Sequence, residues 1–157
     1  MRYVSLSLLC LLIYSCGYSL VSNNPSKLNA VFIYESTSLN KLLVKNIKSN
    51  QGYVGLSLSK TDQVDLKIRI ISQRIGKFLS ATDKNLTPAA GSIEYSLEYE
   101  FILDDKIISL SFYDSELYPY NTSNILSNDK ITEEIKNSFL DKALDDIKFN
   151  LVKISNG

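Results

Sequence analysis

The 157-residue chain carries 17 basic and 17 acidic side chains, two cysteines, no tryptophan and no histidine. A balanced charge gives no overall attraction to nucleic acid or to an anionic membrane. The missing histidine removes Ser-His-Asp triads, Cys-His pairs, His-Glu-x-x-His zinc sites and histidine proton shuttles together.

The N-terminus starts with Arg2, continues as an apolar stretch from Val4 to Tyr14 and ends in Ser15-Cys16. A positive start, a short apolar run and a small residue before a thiol are the order of a signal peptide followed by a lipidation site. A membrane-spanning helix needs about 20 apolar residues, so the stretch is too short to cross a bilayer. The pattern resembles the lipobox of bacterial lipoproteins, whose cysteine becomes residue one and is acylated. Residues 1–15 are thus expected to be signal peptide, and residues 16–29 the lipidated Cys16 with its tether. A single domain is expected over 30–157. One acyl chain such as palmitate anchors marginally, whereas a triacylated cysteine holds a protein on a membrane stably. In that lipoprotein class an aspartate after the cysteine commonly retains the protein at the inner membrane. Gly17 stands there, which implies the outer membrane. An ordinary cleaved signal with a coincidental cysteine is the alternative. Cys10 leaves with the signal and Cys16 is taken by lipid, so no disulfide is expected and packing alone must stabilise the domain.

Ala30 to Tyr34 is apolar, β-branched and aromatic, and predicts a buried strand. Thr37 or Ser38 can cap a helix whose apolar positions Leu39, Leu42, Leu43 and Ile47 follow helical spacing, with Gly52 as its stop. Val64, Leu66, Ile68 and Ile70 alternate with polar residues and predict a half-buried strand. Ile71, Ile75 and Leu79 fall on the opposite parity, which a bulge near Ile70-Ile71 explains. Residues 81–91 contain Pro88 and several polar residues and are expected to be a loop.

The strongest local pattern follows. Ile93, Tyr95, Leu97, Tyr99, Phe101 and Leu103 alternate with Glu94, Ser96, Glu98 and Glu100, and Asp104-Asp105-Lys106 turns the chain into Ile107 to Tyr113, predicting a β-hairpin. Tyr118-Pro119-Tyr120 is expected in a loop, where Tyr118 and Tyr120 serve either a partner contact or local packing. A long amphipathic helix is predicted from about Lys130 to Lys153, capped by Asn128 or Asp129, with Glu133 and Glu134 near its positive end. The order β-α-β-β-β-α predicts an α+β two-layer sandwich, a four-stranded mainly antiparallel sheet packed by two helices.

Chemistry is sparse. The six glycines are scattered, so no phosphate-cradling loop exists. Asp104-Asp105, Glu133-Glu134 and Asp145-Asp146 are sequence neighbours in a turn or on a helix surface and do not converge on one substrate atom. No enzyme, metal or cofactor is expected. Charge is segregated, however. Residues 60–84 hold six cations against three aspartates, and residues 94–116 hold seven acids against Lys106. Lys67, Arg69, Arg74 and Lys77 are therefore either a ligand-binding patch or partners in cross-strand ion pairs.

Cys16-Gly17-Tyr18-Ser19-Leu20, followed by a polar lead, strand, helix, alternating strands and closing helix, resembles the LptE family of lipopolysaccharide-assembly lipoproteins. Val21 stands where that family often has a basic residue. The resemblance implies a lipoprotein anchored in the outer membrane, facing the periplasm and the lumen of an LptD-like β-barrel. It also implies a plug that helps the barrel assemble and deliver lipopolysaccharide. The barrel, lipopolysaccharide and the membrane are the implied partners, without nucleic acid. Lys67, Arg69, Arg74 and Lys77 would meet the ligand's phosphates and carboxylates. The alternative is a periplasm-facing lipoprotein that binds or shuttles lipid for an envelope transporter.

Overall fold

The computed structural model describes residues 27–59, 64–104 and 106–155. Cys16, the expected signal peptide and most of the expected tether lie outside the described residues, as does Asp105 of the expected hairpin turn. Strand β1 is Leu28–Ile33 and begins inside the stretch expected to be tether; helix α1 is Ser38–Ser49, helix α2 Gln51–Val54 and strand β2 Leu56–Leu58. Long strands β3 (Leu66–Thr82), β4 (Pro88–Leu103) and β5 (Lys106–Pro119) follow, and helix α3 (Ile125–Ser155) closes the domain.

The sheet has five strands in the order β2-β1-β3-β4-β5, not four. It is mixed: β2 and β3 both pair parallel to β1, while β3, β4 and β5 form an antiparallel meander. The class and the two-layer packing agree with the sequence, but two features escape its pattern. With only Leu56, Ser57 and Leu58, β2 is too short to display an alternation. The parallel pairing of β1 with β2 follows from α1 and α2, which form the crossover between them.

Local chemistry explains the boundaries. Thr37 Oγ1 accepts a hydrogen bond from Asn40 N at 3.2 Å, capping α1 as expected. Gly52 is not the stop: α1 ends at Ser49 with Asn50 as its C-cap, and Gly55, at φ 80°, ends the short α2 in a left-handed conformation that costs a residue without a Cβ little. Leu43, Val44 and Ile47 carry the buried stripe of α1, whereas Leu42 faces out. The expected loop at 81–91 shrinks to residues 83–87, because Asp83 Oδ1 accepts from Asn85 N at 2.8 Å and Thr87 N at 3.0 Å and closes a tight turn. The Thr87 side chain first, and then these backbone bonds, hold the Asp83 carboxyl below its ordinary range. Helix α3 begins three residues before Asn128, since Asn124 Oδ1 accepts from Ser127 N at 3.0 Å. Glu133 and Glu134 are consequently beyond the first turn, and they pair instead with Lys136 at 2.9 Å and Lys130 at 3.7 Å.

The core lies between the helices and one sheet face. Ile93, Tyr95, Leu97, Tyr99 and Phe101 of β4 meet Phe139, Ala143 and Ile147 of α3 and Leu43 and Ile47 of α1, all at most 1% exposed. Tyr95 stacks on Phe139 with ring centroids 5.8 Å apart. The polar tips are also paired. Gln73 Nε2 donates to Tyr95 Oη at 2.6 Å, and Tyr99 Oη donates to Asp146 Oδ2 at 2.8 Å while accepting from Asn150 Nδ2 at 2.9 Å. Among the described residues no helix is long and apolar enough to cross a membrane.

Candidate functional site

The irregularity in β3 determines where the expected cations stand. Ile70 pairs with Tyr99 and Ser72 with Glu98, which leaves Ile71 without a partner in the register and reverses the parity, as the sequence predicted. Before the bulge, Lys67 and Arg69 alternate with the buried Leu66, Ile68 and Ile70, so they lie on the face without helices. After it, Arg74 joins them, opposite Ser96, while Lys77 is opposite the buried Ile93 on the helix-covered face. The four cations therefore form no single patch: three share the open face and Lys77 is on the other side of the sheet.

On the open face, Arg69 Nη1 donates to Glu100 Oε2 at 3.2 Å, and Ser72 Oγ donates to Glu98 Oε2 at 3.2 Å. Glu100 also accepts from Ser109 Oγ at 3.3 Å across to β5. Cross-strand pairing accounts for Arg69, as one of the two readings of the charge pattern required. Arg74 makes no ion pair among the described residues. It borders a depression of 290 Å³ lined also by Gly76, Phe78, Glu94 and Tyr113. The Phe78 ring lies directly over Gly76, 2.7 Å from where a Cβ would stand, so glycine is required for that approach.

The second region is a cleft of 440 Å³ at one end of the sheet, between the tips of β3, β4 and β5 and the first turns of α3. Leu79, Pro88, Tyr118, Tyr120 and Ile125 supply its apolar lining, and Lys77, Asn128, Asp129 and Thr132 its polar groups. Lys77 Nζ donates to Thr132 Oγ1 at 3.0 Å, and Thr132 Oγ1 donates to the Asp129 carbonyl at 3.0 Å. Asn128 Nδ2 donates to the Asn121 carbonyl at 2.8 Å and Asn128 Oδ1 accepts from Asn121 N at 2.9 Å, pinning the β5–α3 connection to the helix. Lys77 was legible as a cation, but Thr132 and Asn128 were not legible as its neighbours, because only the packing of α3 against the sheet brings them to Lys77.

The two tyrosines are not in a loop as a pair. Tyr118 belongs to β5 and is 6% exposed, packed on Gly91, where a Cβ would stand 2.5 Å from its ring. Tyr120 follows the strand, half-buried, with its ring 6.4 Å from that of Tyr118. Burial holds the Tyr118 hydroxyl above the ordinary tyrosine range, with Tyr120 and Asp129 adding to the shift. Local packing is thus the role of Tyr118, and its contact surface in the cleft is small.

The cleft combines an apolar floor with one ammonium group, and the open face combines guanidinium groups with carboxylates. Both are suited to holding a ligand or a partner. Among the described residues no cluster of cysteine or carboxylate side chains is arranged to hold a metal ion.

No family model and no curated protein matches the sequence. Solved structures do match in fold. Rare lipoprotein B from Shewanella oneidensis superposes with a TM-score of 0.64 at 14% identity, over 80% of this chain and 95% of that one. Lipoprotein B from Nitrosomonas europaea gives 0.58 at 10% identity, over 79% and 81%. The minor lipoprotein from Acinetobacter baumannii gives 0.55 at 11% identity, over 78% and 91%. The sandwich of this chain is therefore a fold it shares with bacterial lipoproteins.

Proposed function

We propose that this chain is an outer-membrane lipoprotein of the LptE type, which plugs a lipopolysaccharide-export barrel, assists its assembly and helps deliver lipopolysaccharide to the surface. The observation that carries the reading is the conjunction of the Ser15-Cys16-Gly17-Tyr18 segment with a fold shared, over 95% of its length, by rare lipoprotein B. The lipid on Cys16 supplies the anchor, and the compact sandwich supplies a body that can sit in a barrel lumen facing the periplasm. Its role is binding, not catalysis, which agrees with a chain lacking histidine. Lys67, Arg69 and Arg74 on the open face are the groups that meet the anionic sugars, and Lys77 joins them only through a ligand that reaches the end cleft.

Detergent extraction and pull-down of the full chain should recover a large outer-membrane β-barrel; recovery of none overturns the reading. Reversing Arg69 and Arg74 to Glu should weaken lipopolysaccharide binding while the domain stays folded, and unchanged binding discards the open face as the ligand surface.

A second reading, a lipoprotein that carries lipid for an envelope transporter, is favoured by the apolar lining of the end cleft. The sandwich interior weighs against it, since Tyr95, Tyr99, Phe101 and Phe139 fill the space an acyl chain would need. Native mass spectrometry separates the two: a carrier retains a lipid in the absence of any barrel.

A further inference from the structure

Strand β5 ends the sheet, so among the described residues its backbone pairs only with β4 and its other edge is open. It is 14 residues long, and its register with β4 is continuous from Lys106 to Pro119, whereas β3 against β4 is interrupted. Exposed edges are ordinarily protected by a bulge, an internal proline or lysine, or short length. Between Ile107 and Tyr118 this strand has none of these, and its inward-facing charges are Asp114, which Lys142 bridges, and Glu116. Instead it presents Ile107 at 58% exposure, Tyr113 at 62% and Leu117 at 71%, all on the face without helices. Phe149, 68% exposed, is two turns past Lys142 on the flank of α3 that reaches β5 through the Lys142–Asp114 bridge of 2.7 Å.

We infer that this edge pairs antiparallel with the same edge of a second copy, about a two-fold axis at Phe112. The choice of occupant rests on self-complementarity. An antiparallel ladder that keeps each side chain on its own face sets Phe112 against the partner's Phe112. Ile107 then lies opposite the partner's Leu117, Ser109 opposite the partner's Ser115, and Ser111 opposite the partner's Tyr113. The two exposed aliphatic residues on that face of β5 thus cover each other, and they do so twice. A shift of the register by two residues sets Leu117 against Ser109 in one direction and beyond the first residue of β5 in the other, and loses this cover. Charge agrees with the same register. Glu116, exposed and without an ion pair among the described residues, becomes the diagonal neighbour of the partner's Lys106, again twice. Asp114 adds no repulsion because Lys142 already bridges it. The inference stands on the edge alone and does not depend on lipopolysaccharide or a barrel.

The test uses the full chain in detergent, without partners. Sedimentation should give a concentration-dependent dimer. Glu116→Lys, which sets like charges against Lys106 in both halves, should weaken association about tenfold. Adding Lys106→Glu to that variant should restore it. Ser109→Cys protein mixed with Ser115→Cys protein should form a disulfide-linked heterodimer on oxidation, whereas Ser109→Cys alone should not cross-link. A monomer at every concentration, or Ser109→Cys cross-linking to itself as readily as to Ser115→Cys, overturns the inference. So does a dimer indifferent to both charge changes.

Discussion

The two faces of β4 are one backbone in two environments. Ile93, Tyr95, Leu97, Tyr99 and Phe101 point toward the helices and are at most 1% exposed, while Glu94, Ser96, Glu98 and Glu100 point the other way and remain at least partly in contact with water. The difference is helical cover, and it changes what any interaction is worth. On the covered face a ring displaced from water contributes through area and close packing. On the open face the Arg69–Glu100 pair competes with solvent, its side chains 43% and 19% exposed. Stability therefore resides on one side of the sheet, and the other side stays in contact with solvent.

The comparison can be broken at its strong end first. Phe139→Ala empties a fully buried position stacked on Tyr95 and should cost about 3–5 kcal/mol, read as a lower urea midpoint at unchanged slope. A loss no larger than that of an open-face substitution would falsify the division between the faces. Gly91→Val comes next: its side chain would collide with the Tyr118 ring, and the overpacking should cost about 1–3 kcal/mol. Combining it with Tyr118→Ala should return part of that loss, because the collision partner is gone.

A pH series sharpens the same contrast. Burial raises the Tyr95 and Tyr99 hydroxyls above the ordinary tyrosine value of 10.0, and the Asp146 carboxylate adds to the shift at Tyr99. Both rings are neutral in the folded state. Their contribution is complete below pH 10.0 and is lost as the pH rises through the higher folded values, since the unfolded chain ionises first. Circular dichroism should show alkaline unfolding beginning above the ordinary tyrosine range, and Tyr99→Phe should shallow that pH dependence. At the weak end, Arg69→Ala should change stability by less than about 1 kcal/mol in chemical denaturation. A cost as large as that of Phe139→Ala would mean the open face contributes to folding as the covered one does.

How much of this was legible in the chain varies by region. The β4 alternation, the Thr37 cap and the bulge after Ile70 were readable because each is a local relation: period two, a side chain three residues from its amide, a parity slip. The end cleft was not. Lys77 meets Thr132 across 55 residues of sequence, and only the packing of α3 onto the sheet brings them to 3.0 Å. Tyr118 looked like part of a proline-marked loop, yet Pro119 closes an edge strand, where a missing amide costs nothing on the solvent side.

By itself, the sequence determined the α+β class, the closing helix and the inward face of the long hairpin, since periodicity and short motifs are written residue by residue. Only the tertiary structure decided that β2 adds a fifth strand, that the sheet is mixed, and that Lys77 parts company with Lys67, Arg69 and Arg74. Each of those depends on which distant segments pair. Pairing is settled by the joint burial of both partners, which neither segment encodes alone.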